Sequence, residues 1–508
     1  MIGRTRSVVL TGVAGHVIEV EAHVASGLPS LTIVGLPDAA LSEARDRVRA
    51  ACGSTGLTWP ARRVTVNLTP ATLPKSGAGT DLALALAVLA AAGDVDASQV
   101  ASAVHIGELG LDGRVRPVRG ILPAVAAAVK SGVTRIVVPE ANRAEAALIP
   151  GARVTGVRSL AHAARAYGCA DVREDPAISQ RRPVASAHPD AAMRPGADMA
   201  DVRGQPEARA ALEVAAAGGH HLFMVGPPGA GKTMLATRLP GILPDLSDRD
   251  AVDVTSVHSL AGTFDPDGGL MRRPPFEAPH HSASAAAIVG GGSAWARPGA
   301  ISRAHGGVLF LDEAPEFATR VLQTLRQPLE HGEVVLHRAL GASRYPARFQ
   351  LVLAANPCPC GKYFGSGSEC GCAPVARRRY FGRLSGPLLD RIDLQVEVRP
   401  VRRGFDEAGE SSADVAARVA QARAVATSRL SEWGWSVNAQ ASGTWLRDHT
   451  PASATRDMMQ ALDQGLLTAR GADRTLRVAW TLADLAGEPA PTAALVATAM
   501  ALRTRVAA

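Results

Sequence analysis

Short runs of β-branched and other apolar residues dominate the first part of the chain. The runs VVL, VIEVEAHV, LTIVGL, RVTVNL and RIVVP have the length of strands, and alanine-rich stretches that favour helices lie between them. This mixture predicts an α/β or α+β domain over residues 1–170. Residues 171–200 contain four prolines and no sustained periodicity, which is typical of a linker.

The hydrophobic pattern changes twice more after this linker. Over residues 201–400, buried-strand patterns alternate with helical patterns, which predicts a second α/β domain. Residues 401–508 form the last predicted domain, and their pattern becomes helical near residue 410. Ser411 followed by Asp414 could cap a helix that starts near Ala413. The sequence therefore predicts an α/β multidomain protein with a helical C-terminal domain.

Composition narrows the classes of protein to consider. At 508 residues the chain is too long for one core, which predicts two to four domains. The apolar run LALALAVLAAAG is too short to span a membrane, so no membrane association is expected. The N-terminal sequence lacks the features of an export signal, so we expect a cytoplasmic protein whose cysteines are free or metal-bound. The net charge of +7 fits either a solvated arginine-rich surface or attraction to a polyanion such as nucleic acid.

The strongest chemical motif is GPPGAGKT. An apolar strand pattern, HLFMV, precedes it and a helical pattern follows it, which is the context of a phosphate-binding loop. Glycines let successive backbone N–H groups point at phosphates, Lys232 would reach the β- and γ-phosphates, and Thr233 would bind Mg²⁺. The residues predicted to bind ATP are Gly226, Pro227, Pro228, Gly229, Ala230, Gly231, Lys232 and Thr233.

Two further strand ends carry polar residues that would complete such a site. The strand VLFL ends in Asp312 and Glu313; the first could hold Mg²⁺ and the second could polarise the attacking water. The strand FQLVLAA ends in Asn356, which could reach the γ-phosphate or the water, or could serve as a turn residue before Pro357.

These motifs resemble a known family. GPPGAGKT, VLFLDE and AANPCPCG, with HHSASAAAIVGGG and SGPLLDRIDL, resemble the magnesium-chelatase-like branch of the AAA+ ATPases, and the YifB/ComM family in particular. Bacterial ComM members of that family are hexameric DNA branch-migration helicases. The resemblance implies ATP and Mg²⁺ as cofactors, a homo-oligomeric ring that is expected to be a hexamer, and single-stranded or branched DNA as partner. A chelatase-like motor that remodels a protein is the alternative.

The family also implies roles for arginines. Arg391, in LLDRID, matches an arginine finger that a neighbouring subunit inserts toward the γ-phosphate, with Arg383 as the alternative. Arg470 matches a second sensor arginine, with Arg474 as the fallback. A solvated surface position is the competing interpretation for each of these side chains.

Other segments are candidates for contact with DNA. In the family, an insertion between the phosphate loop and Asp312 carries hairpins that face the central pore, so His280, His281 and Arg297 are candidate pore contacts or structural residues. The basic and aromatic stretch ARRRYFGR, residues 376–383, could contact phosphates and stack on a base, or could form an interface between subunits.

Four cysteines form a separate cluster, C-x-C-x₉-C-x-C, that consists of Cys358, Cys360, Cys370 and Cys372. Four thiols that are close in sequence, with glycine and proline between them, suit tetrahedral Zn²⁺, although the spacing departs from the commoner C-x₂-C pairs. A set of reduced cysteines in a loop is the alternative.

The N-terminal domain resembles the proteolytic domain of Lon, which has the ribosomal-S5-like fold. PKSGAGTD aligns with the Lon motif that carries the nucleophile, but Gly79 stands at the nucleophile position and Leu122 at the position of the general-base lysine. Ser76 and Lys75 do not have the spacing of a catalytic dyad. We therefore expect a domain without peptidase activity.

Overall fold

The computed structural model describes residues 2–35, 39–73, 78–170, 172–173, 197–292, 297–338, 341–365, 367–384, 386–400 and 409–504. The N-terminal part is built on a mixed sheet, the central part on a parallel sheet, and the C-terminal part on helices. Most of the predicted linker lies outside the described residues.

The N-terminal part has nine strands and six helices. In chain order these are β1 Ile2–Thr11, β2 Ala14–Ala25, β3 Ser30–Val34, α1 Ala39–Ser54, β4 Arg63–Thr69, α2 Asp81–Ala92, α3 Ala97–Ala101, β5 Val104–His105, β6 Glu108–Leu109, β7 Val115–Arg116, α4 Ile121–Lys130, β8 Arg135–Pro139, α5 Arg143–Ala146, β9 Arg153–Val157 and α6 Leu160–Ala166 among the described residues.

A seven-stranded sheet in the order β3-β4-β2-β1-β5-β8-β9 organises this part. The five apolar runs that predicted strands lie in β1, β2, β3, β4 and β8, so those predictions are confirmed. LALALAVLAAAG forms α2, a helix buried almost all round because it packs between the sheet and its neighbours. Buried residues alternate with exposed ones along the first half of β1, as expected for a strand with one covered face.

The central part contains the phosphate-binding motif. Its elements are α7 Pro206–Gly218, β10 Leu222–Val225, α8 Lys232–Ile242, α9 Asp248–Ala261, β11 Phe276–Glu277, α10 Ala285–Val289, β12 Gly290–Gly291, β13 Arg297–Pro298, α11 Ala300–Arg303, β14 Val308–Leu311, α12 Thr319–Thr324, α13 Arg326–His331, β15 Glu333–Arg338, β16 Gly341–Pro346, β17 Gln350–Ala355, α14 Pro374–Gly382, α15 Gly386–Leu389 and β18 Leu394–Glu397.

Five parallel strands form the centre of this part, in the order β11-β14-β17-β10-β18. The four residues of β10 and of β14 are all buried, since helices cover both faces of the sheet. Because the strands are parallel, the residues that follow β10, β14 and β17 meet at one edge.

The C-terminal part is helical, as the sequence predicted. It contains α16 Ser412–Leu430, α17 Gly443–His449, α18 Ala452–Asp463, α19 Ala469–Ala486 and α20 Ala493–Thr504. The predicted cap is confirmed, because the Ser411 hydroxyl accepts a hydrogen bond from the backbone N–H of Asp414 at 3.2 Å. Within the described ranges, no helix combines the length and the apolar character needed to cross a membrane.

Buried contacts join the three parts. Helix α4 packs against α9, and Phe264 of the central part joins the apolar cluster around Ile121. At the start of β18, Arg474 of α19 donates to the buried carboxylate of Asp393 at 2.6 Å. The N-terminal part is thus anchored on α9, and the helical part is anchored beside β18.

Candidate nucleotide-binding site

The predicted phosphate loop connects β10 to α8. Its backbone depends on glycine, because Gly229 and Gly231 have φ angles of 77° and 95°, which other residues rarely adopt. A Cβ atom at Gly226 would lie 2.2 Å from the carbonyl oxygen of Val398, so the start of the loop also needs glycine. Helix α8 begins at Lys232, and its N-terminus adds positive potential beside the loop.

Lys232 lies at the centre of the site. Its ammonium group donates to the carbonyl oxygens of Gly226 and Pro227 at 2.7 and 3.0 Å and to the side-chain oxygen of Asn356 at 3.1 Å. Burial lowers the pKa of Lys232, and the charges of Asp312 and Glu313 oppose that effect. The structure therefore brings together the lysine of the loop and the polar end of β17, which the sequence placed 124 positions apart.

The two carboxylates after β14 lie on the other side of this lysine. The hydroxyl of Thr233 donates to Asp312 at 2.6 Å, so the two predicted Mg²⁺ ligands are adjacent. Glu313 has a φ of 51°, a strained value for a residue other than glycine, and its N–H donates to the carboxylate of Asp312 at 2.9 Å. Strain of this kind persists where the surroundings hold a side chain in a particular direction.

Two cavities of about 370 Å³ each adjoin these residues. Lys232, Thr233, Asp312, Glu313 and Asn356 line one of them, and its size lies within the range of small-molecule sites. Backbone N–H groups and a lysine suit phosphate oxygens, and a hydroxyl beside a carboxylate offers the hard oxygen ligands that Mg²⁺ prefers. The residues present therefore fit a magnesium–nucleotide complex.

His281 is a residue whose position the sequence reasoning missed. Its Nδ1 atom lies 3.1 Å from the carboxylate of Glu313, and its ring lies 4.1 Å from that of His280. Both histidines line the second cavity, together with Thr233 and Asp312. One feature of the sequence could have indicated this position, because His280 and His281 closely follow β11. Strand β11 runs parallel to β14, so the residues after each of these strands approach the same edge of the sheet.

The candidate arginines occupy different surroundings. Arg391 pairs with Glu330 and is absent from the residues that line the two described cavities. Arg383 donates to Glu316 at 3.1 Å. Glu316 follows the carboxylates of Asp312 and Glu313 closely in the same chain. Arg470 is exposed, whereas Arg474 is bound to the buried Asp393. Arg474, the fallback candidate for the second sensor, therefore has a structural partner in Asp393, and Arg470 does not share that contact.

Some of the remaining candidates for DNA contact are exposed, and others are buried. Arg297 lies exposed on β13, which pairs antiparallel with β12, and residues 293–296 between the two strands lie outside the described residues. In helix α14, Arg378 and Arg379 are exposed, but Tyr380 is buried, so it cannot stack on a base from this position. Burial also raises the pKa of Tyr380 to about 12.

The four cysteines converge at the end of β17. The sulfur atoms of Cys358, Cys360 and Cys370 lie 3.4 to 3.7 Å apart, and all four sulfurs fall within 4.8 Å of one another. The structure therefore brings together the four thiols that the sequence singled out as candidate zinc ligands.

The loop PKSGAGTD, which was compared with the Lon motif on its sequence, has no recognisable dyad in its described part. Gly79 has no side chain, Leu122 is buried, and Ser76 and Lys75 lie outside the described residues. Asp81, which ends the motif, accepts hydrogen bonds from Arg47 at 2.8 Å and from the N–H of Leu109 at 3.2 Å. Burial nevertheless raises the pKa of Asp81 to about 6, so its surroundings are those of a buried structural carboxyl group.

Comparison with known proteins places this site in a family. Models of the magnesium chelatase subunit ChlI match residues 198–404, its C-terminal region matches residues 409–503, and a further ChlI model matches residues 20–142. The chain is 39% identical to competence protein ComM of Haemophilus influenzae, over 94% of this chain and 92% of ComM. It is 42% identical to YifB of Escherichia coli, over 93% of this chain and 91% of YifB.

The chain belongs to the YifB/ComM family of magnesium-chelatase-like proteins. A protein of Mycobacterium tuberculosis is more similar still, at 52% identity over 99% of this chain and 98% of the relative. Membership of this AAA+ family agrees with the parallel sheet and the helical C-terminal part, and it suggests ATPase activity. The ChlI model that matches residues 198–404 spans the phosphate loop, both carboxylates and the cysteine cluster.

Proposed function

We propose that the protein is a motor that binds Mg²⁺ and ATP and hydrolyses the nucleotide. The observation that carries this proposal is the convergence of Lys232, Thr233, Asp312, Glu313 and Asn356 at one edge of the parallel sheet. In this assignment Lys232 and the loop N–H groups bind phosphate, and Thr233 and Asp312 hold Mg²⁺, which neutralises charge on the phosphates.

The remaining two residues act on the water. Glu313 orients and polarises the attacking water by accepting its proton, since Glu313 lines the same cavity as Lys232 and Asn356. Asn356 accepts a hydrogen bond from Lys232, so its amide N–H₂ group is available as a donor to the γ-phosphate or the water.

We further propose that the motor works as a ring, a hexamer by resemblance to the family. Burial lowers the pKa of Arg391, and the charges of Arg470, Arg474 and Arg326 lower it further, so several cations crowd one junction of the core and the helical domain. An anionic phosphate from a neighbouring subunit would relieve this repulsion. We therefore assign Arg391 as the arginine finger of a neighbour's site and Arg470 as the second sensor arginine.

DNA is the proposed substrate, and the proposed activity is helicase or branch-migration translocation in recombination or natural transformation. The similarity to a protein named for competence, the excess of seven positive charges, and the exposed Arg378 and Arg379 support this choice. We place the activity in the cytoplasm, where the chain would meet both DNA and ATP.

Domain roles follow from the same reasoning. We assign residues 1–170 to a Lon-like domain without a catalytic dyad, residues 171–200 to a linker, residues 201–400 to the AAA+ core and residues 401–508 to a helical lid. The N-terminal domain packs on α9 of the core, which suits a scaffold or a binding surface rather than a protease.

One experiment separates this proposal from its rivals. ATP turnover is measured for the wild type and for Lys232→Ala, with single-stranded DNA, branched DNA or unfolded protein added. We expect DNA to stimulate turnover of the wild type only. Stimulation by unfolded protein and not by DNA would favour the protein-remodelling motor, and cleavage of casein that is lost in Ser76→Ala would overturn the assignment of an inactive protease domain.

A further inference from the structure

The cysteine cluster lies in a loop, residues 357–373, that we call the cysteine loop. The described residues of this loop form no helix or strand, and they include glycines at 361, 365, 367 and 371. Ordering such a loop costs conformational entropy at every residue. Some interaction other than regular secondary structure must offset this cost in the folded chain.

The arrangement of the sulfurs matches a tetrahedral metal site. Zinc–thiolate bonds of about 2.3 Å place the four sulfurs of a tetrahedron about 3.8 Å apart. The observed separations of 3.4, 3.6 and 3.7 Å are close to that value and far longer than the S–S bond of a disulfide, about 2.05 Å. The four cysteines are all free thiols in the structure.

Backbone groups of the loop add to this match. The N–H of Tyr363 points at the sulfur of Cys358 at 3.3 Å, and the N–H of Cys372 points at the sulfur of Cys370 at 3.4 Å. Such N–H groups stabilise thiolate ligands and orient them toward a metal. A set of unrelated reduced cysteines would not need to direct its sulfurs to one point.

The cysteine loop also touches the nucleotide site. Gly361 has a φ of 75°, and a Cβ atom there would lie 2.7 Å from the ring of Pro228, so the two loops are in direct contact. Near its middle, the guanidinium of Arg377 lies 3.8 Å from the ring of Tyr363.

We propose that Cys358, Cys360, Cys370 and Cys372 bind one structural Zn²⁺, and that this metal braces the cysteine loop against Pro228 and so supports nucleotide binding. The site has all four positions filled by protein, which is the pattern of a structural rather than a catalytic zinc. The claim that the metal supports nucleotide binding rests on the proposed nucleotide site. Metal binding supplies the free energy that orders the loop, as in other small metal-folded segments.

The test begins with the full chain, purified under reducing conditions without chelator. Metal analysis should find one zinc per chain in the wild type, and cobalt that replaces it should show the visible spectrum of a tetrahedral tetrathiolate complex. Cys370→Ser/Cys372→Ser should lose both signals. The control Cys169→Ser should keep them, because Cys169 lies in the N-terminal domain. A wild type that neither contains zinc nor takes it up with protection of the four thiols would overturn the metal site.

The second measurement is the affinity for Mg–ADP by calorimetry. We expect Cys370→Ser/Cys372→Ser to bind it about 5- to 150-fold more weakly than Cys169→Ser, the usual range for two coupled sites. Circular dichroism shows whether the variant keeps its fold. As a second route, reversible zinc removal from the wild type should weaken Mg–ADP binding and re-addition should restore it.

The outcomes separate the two proposals. Lys232→Ala should keep its zinc and lose nucleotide affinity. If the wild type binds zinc but its affinity for Mg–ADP is unchanged when the zinc is removed, the proposed support of nucleotide binding by the metal is refuted. A wild type that holds zinc but never binds nucleotide would instead refute the proposed function and leave the metal site standing.

Discussion

The contact between Arg474 and Asp393 offers a quantitative test of how the helical domain is held. The carboxylate of Asp393 is only 3% exposed, and it also accepts a hydrogen bond from the N–H of His221 at 3.1 Å. Although burial opposes ionisation, the contact with His220 and the charge of Arg474 hold the pKa of Asp393 below its usual range. Arg474→Met would leave this charge buried with less compensation.

Removing one partner of a buried ion pair costs about 3–5 kcal/mol. Since each 1.4 kcal/mol is tenfold, the slow-exchanging amides of α19 should lose about 10²- to 4 × 10³-fold in protection. Native-state hydrogen exchange of the full chain measures this loss directly. It avoids the assumption of two-state unfolding, which a multidomain chain does not satisfy.

Arg447→Met provides a matched control, because Arg447 lies on α17 and pairs with a residue of the same helix α19. Arg447 donates to Asp473 of α19 at 2.6 Å, the same distance, but the two side chains are 58% and 26% exposed. An exposed pair contributes at most about 1 kcal/mol, so protection should fall by about fivefold or less. Equal losses in the two variants, or a loss below about tenfold in Arg474→Met, would refute the reasoning that burial sets the magnitude.

Three further predictions concern other parts of the molecule. Glu313→Gln should bind ATP normally but hydrolyse it about 10²- to 10⁴-fold more slowly, as single-turnover assays would show; equal loss of binding would contradict its role. Arg378→Ala/Arg379→Ala should reduce the slope of log affinity for single-stranded DNA against log salt by about 1.4, and an unchanged slope would exclude this helix from the interface. Burial lowers the pKa of His105 to about 3, against about 6.5 when unfolded, so stability is lost as pH falls below 6.5. Between pH 7 and pH 5 the free energy of unfolding of the N-terminal sheet should fall by about 2 kcal/mol more in the wild type than in His105→Gln. Hydrogen exchange of the sheet amides measures this difference, and identical pH profiles of the two proteins would refute the prediction.

Much of the fold could be predicted because local pattern and tertiary structure agree. The apolar runs of the N-terminal part became strands, and the capping serine at 411 opened a helix where expected. The phosphate loop was predictable for a stronger reason, because Gly229 and Gly231 need backbone conformations that few residues allow, and this requirement leaves a mark in the sequence.

Contacts between distant segments could not be predicted in the same way. Nothing local indicates that His281 would lie 3.1 Å from Glu313, because that depends on how β11 and β14 pair in the sheet. Tyr380 was a plausible stacking residue in a basic stretch until tertiary packing buried it. Arg470 and Arg474 differ by one helical turn, and only the position of Asp393 distinguishes them.

Subunit mixing tests the central claim that ATP is hydrolysed between subunits. Lys232→Ala lacks the loop lysine but keeps Arg391, and Arg391→Ala has the opposite defect. Each variant alone should be inactive, whereas an equal mixture that is allowed to reassemble should regain about a quarter of wild-type turnover, the fraction of interfaces with both residues intact. A mixture as inactive as its components, or full activity of Arg391→Ala alone, would contradict the account.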